Sequence, residues 1–216
     1  EEQLKELCNK YRKNDGSYDC LVPGSGGKDS FYASHLLKYK YGMNPLTITW
    51  APHMYTDWGW HNFQSWIEAG HDNYLMTPNK RVHRLLTRLA VENLLHPFQP
   101  FMVGQKNLPP KIASLFNIPL VFYGEDEAEY GNPIADNKNA IRSTDYYAAD
   151  NKEDLYLSGE SYKGLLNDFG FCLSADLTLN NSWILLNVIK SIMGSCNPLF
   201  VCLGSSSKAG TSIKPA

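Results

Sequence analysis

An apolar stretch at residues 18–22 runs straight into Pro23-Gly24-Ser25-Gly26-Gly27-Lys28-Asp29-Ser30, and a helical pattern follows over residues 31–41. This order constrains the fold more than any other feature of the chain. A glycine-rich turn between a buried strand and a helix aims backbone N–H groups at one spot, where the helix N-terminus adds partial positive charge. Three glycines in four residues let that backbone approach a ligand without Cβ clashes. Lys28 can neutralise phosphate charge, and Ser25 and Ser30 can donate hydroxyl hydrogen bonds. The turn is not a Walker A loop, which needs glycine five positions before its Gly-Lys pair. Here the pair is Gly27-Lys28, and position 22 is Val.

Ser25-Gly26-Gly27-Lys28-Asp29-Ser30 instead resembles the PP-loop of the ATP pyrophosphatases. That resemblance implies an enzyme that cleaves ATP between its α and β phosphates and holds the departing pyrophosphate on this loop. An ordinary Ser/Gly turn is the alternative reading.

The rest of the chain reads as alternating strands and helices. Residues 1–13 form an amphipathic helix, with a turn at Asn14-Asp15-Gly16. Residues 45–50 and 73–77 are strands, with a helix between them closed by Gly70. Pro78-Asn79 starts a helix that Pro97 and Pro100 end, and residues 101–104 fit strand or helix equally well. Pro109-Pro110 is expected to open a helix through Phe116, proline being favoured at first helical positions. Residues 120–123 are a clear strand ending in Gly124. This alternation predicts an α/β fold of Rossmann-like type, a parallel sheet with helices on both faces. Ligands in such sheets sit at the carboxyl ends of the strands, so the glycine loop, Trp50 to His53 and Gly124-Glu125-Asp126 should converge on one cleft. Residues 1–176 are expected to form this domain, with a polar excursion at 131–158. Residues 177–216 form an atypical tail, apolar over 180–193 and Gly/Ser/Lys-rich after 203, where no functional residue is expected.

Net charge and cysteines narrow the function. A net charge of −2 offers no broad basic field for long nucleic acid. Lys80-Arg81 and residues 84–88 are basic, and are read as the solvated face of a helix. No apolar run reaches the ~20 residues that cross a bilayer. Five scattered cysteines, with no CxxC pair, suit a reducing cytoplasm. The chain opens without Met inside a helix-like pattern, and is read as a fragment whose start lies upstream.

Several further strings resemble the N-acetyl sugar amidotransferase family of bacterial surface-polysaccharide biosynthesis, part of the PP-loop superfamily. They are Tyr41-Gly42-Met43-Asn44-Pro45-Leu46, Trp50-Ala51-Pro52-His53, Tyr55-Thr56-Asp57, Thr77-Pro78-Asn79, Pro97-Phe98-Gln99-Pro100-Phe101, Gly104-Gln105-Lys106, Tyr123-Gly124-Glu125 and Glu129-Tyr130-Gly131-Asn132-Pro133. The cysteine-rich segment usual ahead of the loop is absent. The resemblance implies that an acetamido sugar, free or nucleotide-linked, is adenylated on its amide oxygen and that ammonia then displaces AMP to give an acetamidino sugar. Ser25, Gly26, Gly27, Lys28 and Ser30 would hold pyrophosphate. Asp29 would orient the loop or help bind Mg²⁺, and main-chain groups near Trp50 and Ala51 would meet adenine. Gln105 and Lys106 would contact phosphate or sugar, and Tyr130 and Asn132 the sugar. Lys28, Asp29 and Lys106 are the candidate catalytic residues.

Glu125, Asp126, Glu127 and Glu129 put four carboxylates within five residues, which repel one another unless a cation is near. Asp29, Glu125 and Asp126 are the candidate Mg²⁺ ligands, with Glu125 also a substrate contact. His53 and His61 are weaker candidates, read as structural or substrate-contacting. No Gly-x-Cys-x-Gly element surrounds a cysteine, so no glutaminase site is visible. The resemblance implies separate glutaminase and ammonia-channel subunits. A tRNA-modifying enzyme with the same loop, of thiolase or lysidine synthase type, and a non-catalytic nucleotide-binding module are the alternatives.

Overall fold

The computed structural model describes residues 1–124, 141–142, 156–169 and 199–202. Four strands form the heart of the sheet: β1 (Cys20–Pro23), β2 (Pro45–Trp50), β3 (Asn73–Met76) and β4 (Leu120–Tyr123). They run parallel in the order β3-β2-β1-β4, with Cys20 opposite both Pro45 and Leu120. Beyond β4 the sheet continues with β8 (Leu199–Cys202), parallel to β4, and then β5 (Ile141–Arg142), antiparallel to β8. A two-stranded hairpin, β6 (Tyr156–Leu157) with β7 (Glu160–Ser161), is separate from this sheet and is held by Asn93, whose amide donates to the Ser158 carbonyl at 3.1 Å.

The helices are α1 (Glu2–Tyr11), α2 (Lys28–His35), α3 (Asp57–Glu68), α4 (Lys80–Leu94), α5 (Gln99–Leu115) and α6 (Tyr162–Phe169). Strand alternation splits them between two layers. Cys20, Val22, Leu120 and Phe122 point to one face, where they pack with Cys8 of α1, Ala33 of α2 and Trp66 of α3. Leu21, Val121, Leu46, Ile48 and Trp50 point to the other, against Leu108, Ile112 and Ala113 of α5. Every residue of β2 is buried, although its sequence alternates apolar residues with Thr47 and Thr49. Its two polar residues are satisfied at the edge: Thr47 donates to the Asp72 carbonyl at 2.7 Å, and the Asn73 amide donates to the Thr47 and Thr49 hydroxyls.

The expected parallel α/β sheet covered on both faces is therefore present. Several local expectations are revised. The helix after the glycine loop begins at Lys28, three residues earlier than residue 31, so loop residues form its first turn. It ends in a π turn (Leu36–Lys40), with the Tyr41 amide donating five residues back to Leu36. Residues 101–104 are helical, and Pro109-Pro110 lies inside α5 rather than opening a helix. Pro100 takes the favoured first-turn place instead. The two internal prolines leave the Gln105 and Lys106 carbonyls without their helical donors. The helix persists because Gly104, Leu108 and Ile112 stay in phase on one buried stripe. Within the stretch read as an atypical tail, Leu199–Cys202 supplies strand β8.

Gly104 is where α5 meets β2. A Cβ there would lie 2.4 Å from the Trp50 indole, so only glycine lets the helix rest on that ring. Gly104→Ala should lower stability by about 1–3 kcal/mol through overpacking, read as a reduced urea midpoint with an unchanged slope.

Candidate functional site

The strand order reverses between β1 and β4: β2 and β3 lie on one side of β1, and the chain returns to β4 on the other. A crevice outside the carboxyl ends of strands at such a point is where α/β sheets bind ligands. The turn that follows β1 occupies it. Gly24 continues the sheet by donating to the Ile48 carbonyl at 2.9 Å. Its missing Cβ is filled by Ser30, whose own Cβ would be 2.2 Å away, so the turn folds back on the first turn of α2. Gly26 has φ +83° and sits on the α3 backbone, where a Cβ would come within 2.6 Å of the Asn62 carbonyl oxygen. Gly124, directly after β4, lies equally close to the Asp29 carbonyl and the Ser30 amide, at 2.7 and 2.8 Å for an added Cβ. The loop is thus clamped by α3 on one side and the end of β4 on the other.

Gly27 differs from these neighbours. A Cβ there would meet only the Ser25 hydroxyl, at 3.7 Å, and its φ of −65° suits any residue. Folding does not require glycine at 27, and the side it leaves open is the mouth of the turn. No side chain caps α2, whose N-cap is Gly27 itself. The first-turn amides therefore keep their pull on an anion.

Of the loop side chains, Ser25 and Lys28 are exposed, Asp29 is partly buried and Ser30 is buried. The Lys28 ammonium and the Asp29 carboxylate are 2.9 Å apart. The pair is surface-exposed and contributes little stability; it keeps the cation at the loop. The Ser30 hydroxyl donates to the Gly27 carbonyl at 3.2 Å. Beneath the loop, the Trp66 indole N–H donates to the Ser34 hydroxyl at 2.7 Å, tying α3 to α2. Ser34 in turn donates to the Phe31 carbonyl and lies 3.4 Å from His71 Nε2. Burial, with Lys38 and His35 adding to it, holds the His71 pKa below its usual value. Sequence pattern alone did not identify this Trp66–Ser34–His71 support.

The remaining candidates divide. The Ala51 amide donates to the Met76 carbonyl at 2.8 Å, and the Trp50 side chain is buried with its indole N–H making no hydrogen bond among the described residues. Gln105 and Lys106 are helical, on α5, within about 3 Å of axial rise from Gly104. Gly104 faces Trp50, which puts Lys106 about 200° round the helix, away from the sheet. Glu125, Asp126, Glu127, Glu129, Tyr130 and Asn132 lie outside the described residues. Among the described residues, no group of three or more His, Cys, Asp or Glu could hold a metal.

His53, three residues after β2, has a defined role. Its Nε2 is 2.9 Å from the Thr87 hydroxyl, which spends its own proton on the His83 carbonyl. His53 must therefore donate, which fixes the Nε2–H tautomer. Its ring lies 4.0 Å from that of His83, which stacks on Phe101 and meets Trp50 edge-on. Burial lowers the His53 pKa, helped by Arg84 and Lys80. His83 is 2% exposed, with neither ring nitrogen bonded, and burial, helped by His53, holds its pKa down to about 4. In the unfolded chain it titrates near the usual 6.5, so between those values the unfolded chain binds the extra proton. The stability contributed by keeping His83 neutral is full above about pH 6.5 and is lost as pH falls toward 4, on the order of 3 kcal/mol in all. Urea unfolding at pH 7 and 4.5 should show that loss in the parent protein and a flatter dependence in His83→Phe.

His61 sits on exposed α3 beside Trp58, ring centroids 6.0 Å apart. Trp58 is 77% exposed and Met54 86%, so aromatic and apolar surface borders the same end of the sheet.

No protein-family model matches the chain. A 46-residue stretch is 41% identical to an uncharacterized protein of Methanocaldococcus jannaschii; it covers 21% of this chain and 17% of that protein's length. Among solved structures, an NH3-dependent NAD synthetase from Campylobacter jejuni aligns with 60% of this chain and 56% of its own, at 15% identity and TM-score 0.45. A U34-tRNA thiolase from Methanococcus maripaludis, with its 4Fe-4S cluster, aligns with 90% of this chain and 75% of its own, at 15% identity and TM-score 0.43.

Proposed function

We propose that the chain is an AMP-forming, ATP-dependent amidotransferase of the PP-loop kind that converts an acetamido sugar to an acetamidino sugar. The observation that carries this reading is the clamped turn at the strand reversal, closed by glycine on both flanks and open at Gly27. An amide carbonyl is a weak electrophile with a poor leaving group. In the proposed reaction its oxygen attacks the α-phosphorus of ATP and pyrophosphate departs. Ammonia then adds to the activated carbon, and AMP leaves with the original amide oxygen, along with a proton.

The residues at the turn suit the first step. Its amides, Ser25 and Lys28 receive the charge that builds on the leaving pyrophosphate, and Ser30 holds the turn's shape. Asp29 supplies one hard oxygen donor beside them. Mg²⁺ is commonly held by one or two carboxylates plus substrate phosphate oxygens, so Asp29, with Glu125 or Asp126, would hold it there. When bound, Mg²⁺ spreads the phosphate charge. Gln105 is proposed to reach phosphate or sugar, and Glu125, Tyr130 and Asn132 the sugar; the outward direction of Lys106 on α5 removes it from that role. Ammonia would come from separate glutaminase and channel subunits. The setting would be cytoplasmic surface-polysaccharide biosynthesis; no described helix is long and apolar enough to cross a membrane.

The test is to incubate the protein with ATP, Mg²⁺, candidate acetamido sugars and ¹⁵N-ammonia. AMP, pyrophosphate and a ¹⁵N-labelled amidine are expected. Formation of ADP and phosphate instead would overturn the reading.

A further inference from the structure

Strand β3 closes one side of the sheet, and among the described residues no strand pairs with its outer edge. The Thr47 amide donates to the Asp72 carbonyl at 2.9 Å, and the Ala51 amide to the Met76 carbonyl at 2.8 Å. With Thr47 in register with Asn73, parallel pairing turns the amide and carbonyl of Tyr74 toward β2 and those of Asn73 and Leu75 outward. An outward row of this kind is a template for another strand, and edges are usually guarded by a charge, a proline or a bulge. Asn73-Tyr74-Leu75-Met76 holds no charge and no proline, and its register with β2 runs unbroken. Tyr74 is 40% and Leu75 39% exposed, on opposite faces of the strand. The Tyr74 ring continues into that of Phe116, centroids 6.3 Å apart, and Phe116 adjoins the exposed Leu115.

The charges beside this edge are sorted by end. Glu68, the last residue of α3, and Asp72 are exposed at the amino end of β3. The Tyr18 hydroxyl donates to Asp72 at 3.0 Å, which leaves the carboxylate charge in place. Lys80, Arg81 and Arg84 are exposed at the carboxyl end, where α4 begins. Among the described residues none of these five groups is in an ion pair. Lys38, which donates to the Gly70 carbonyl, and Asp57, at the start of α3, each offset one charge without reversing the sign of either end. An edge acidic at one end and basic at the other complements a second copy of itself when that copy runs antiparallel. A parallel copy would set like charges side by side.

We propose that β3 is the edge through which two copies of this chain associate, the strands pairing antiparallel across a two-fold axis so that the sheet runs from one copy into the next. Such isologous contacts are the commonest in soluble oligomers. Four residues of paired strand fall short of the ~1,200 Å² of a stable interface. The flanking helices, α3 on one face of the sheet and α4 on the other, widen the contact and bring the opposite charges together. The two-fold axis reverses strand direction, so the two glycine turns lie at opposite ends of the joint sheet and each stays open. Nothing in this assembly depends on a nucleotide or a sugar.

Light scattering behind a sizing column, on the intact chain at about 100 µM and about 1 µM, tests it. The parent should show twice the 24.4 kDa chain mass at the higher concentration. In hydrogen exchange the Asn73 and Leu75 amides should be slowed at that concentration and released on dilution, while the Tyr74 amide stays protected by β2 at both. L75P removes an outward N–H and spares the bonds to β2; it should weaken dimerisation at least about tenfold. L75K keeps the backbone donor and adds a guarding charge, and should do the same. K80E/R81E/R84E makes both ends acidic, and E68K/D72K makes both basic; each new charge suits the helix end or edge it occupies, so the fold is kept. Each variant alone should dimerise at least about tenfold more weakly than the parent, and an equimolar mixture should recover the dimer. A parent that stays monomeric at about 100 µM, a dimer indifferent to both Leu75 variants, or a mixture no better than its components would overturn the proposal. So would a monomer whose Leu75 amide is protected at every concentration, which gives the edge to another segment of the same chain.

Discussion

Lys28→Ala leaves the chain folded and lowers AMP formation by about two to three orders of magnitude. The side chain is 85% exposed and its ion pair is with the adjacent Asp29, so the fold does not depend on it. Its ammonium stands at the mouth of a turn whose other donors are backbone amides and the exposed Ser25 hydroxyl. The charge on departing pyrophosphate grows as the α–β bond breaks, so a fixed cation there acts more strongly on the transition state than on bound ATP. Losing one such preorganised group typically costs about 10²–10³ in turnover. The effect should fall on kcat with little change in KM for ATP. Steady-state assays of released pyrophosphate, alongside thermal unfolding, check both halves. Unchanged turnover would remove Lys28 from the chemistry.

The second large effect separates two adjacent glycines. Gly26→Ala places a Cβ 2.6 Å from the Asn62 carbonyl oxygen in a residue with φ +83°. Backbone cannot yield there cheaply, and the left-handed conformation alone costs about 1–2 kcal/mol. A total loss of stability on the order of 3–4 kcal/mol is expected. Gly27→Ala meets nothing closer than 3.7 Å and has an ordinary φ, so its stability should stay within about 0.5 kcal/mol of the parent. Its added methyl projects into the open mouth, and ATP should bind at least about tenfold more weakly. Denaturant unfolding and ATP titration of both variants give the contrast. A Gly27→Ala protein that binds ATP normally would place the nucleotide's phosphates elsewhere.

This division of labour was invisible in the sequence, where Gly26 and Gly27 are the same letter. Only the approach of α3 to one and open space at the other distinguishes them. Elements buried on both faces were the readable ones. Pro45–Trp50 and Leu120–Tyr123 appear as strands with the expected bounds, since apolar and β-branched runs of that length fit little else. The α5 helix was misread because Pro109-Pro110 carries a strong local signal for a helix start, and tertiary packing through Gly104, Leu108 and Ile112 overrode it.

The convergence of the glycine loop and Gly124 was legible from strand–loop order alone, and the contact of Gly124 with Asp29 and Ser30 shows it. The main-chain groups near Trp50 and Ala51 were the expected adenine contacts; the Trp50 ring itself fills the core beneath Gly104. The basic residues of α4, read as a solvated face, are all exposed, and Arg88 pairs with Glu92 on that face.

The central claim is that the sugar's amide oxygen takes AMP from ATP held by the glycine turn. It is tested most directly with a substrate carrying ¹⁸O in its acetamido group, incubated with ATP, Mg²⁺ and ammonia, with mass analysis of the nucleotide product. The account predicts one ¹⁸O atom in AMP and none in pyrophosphate. Label appearing in inorganic phosphate, with ADP as the nucleotide product, would contradict it.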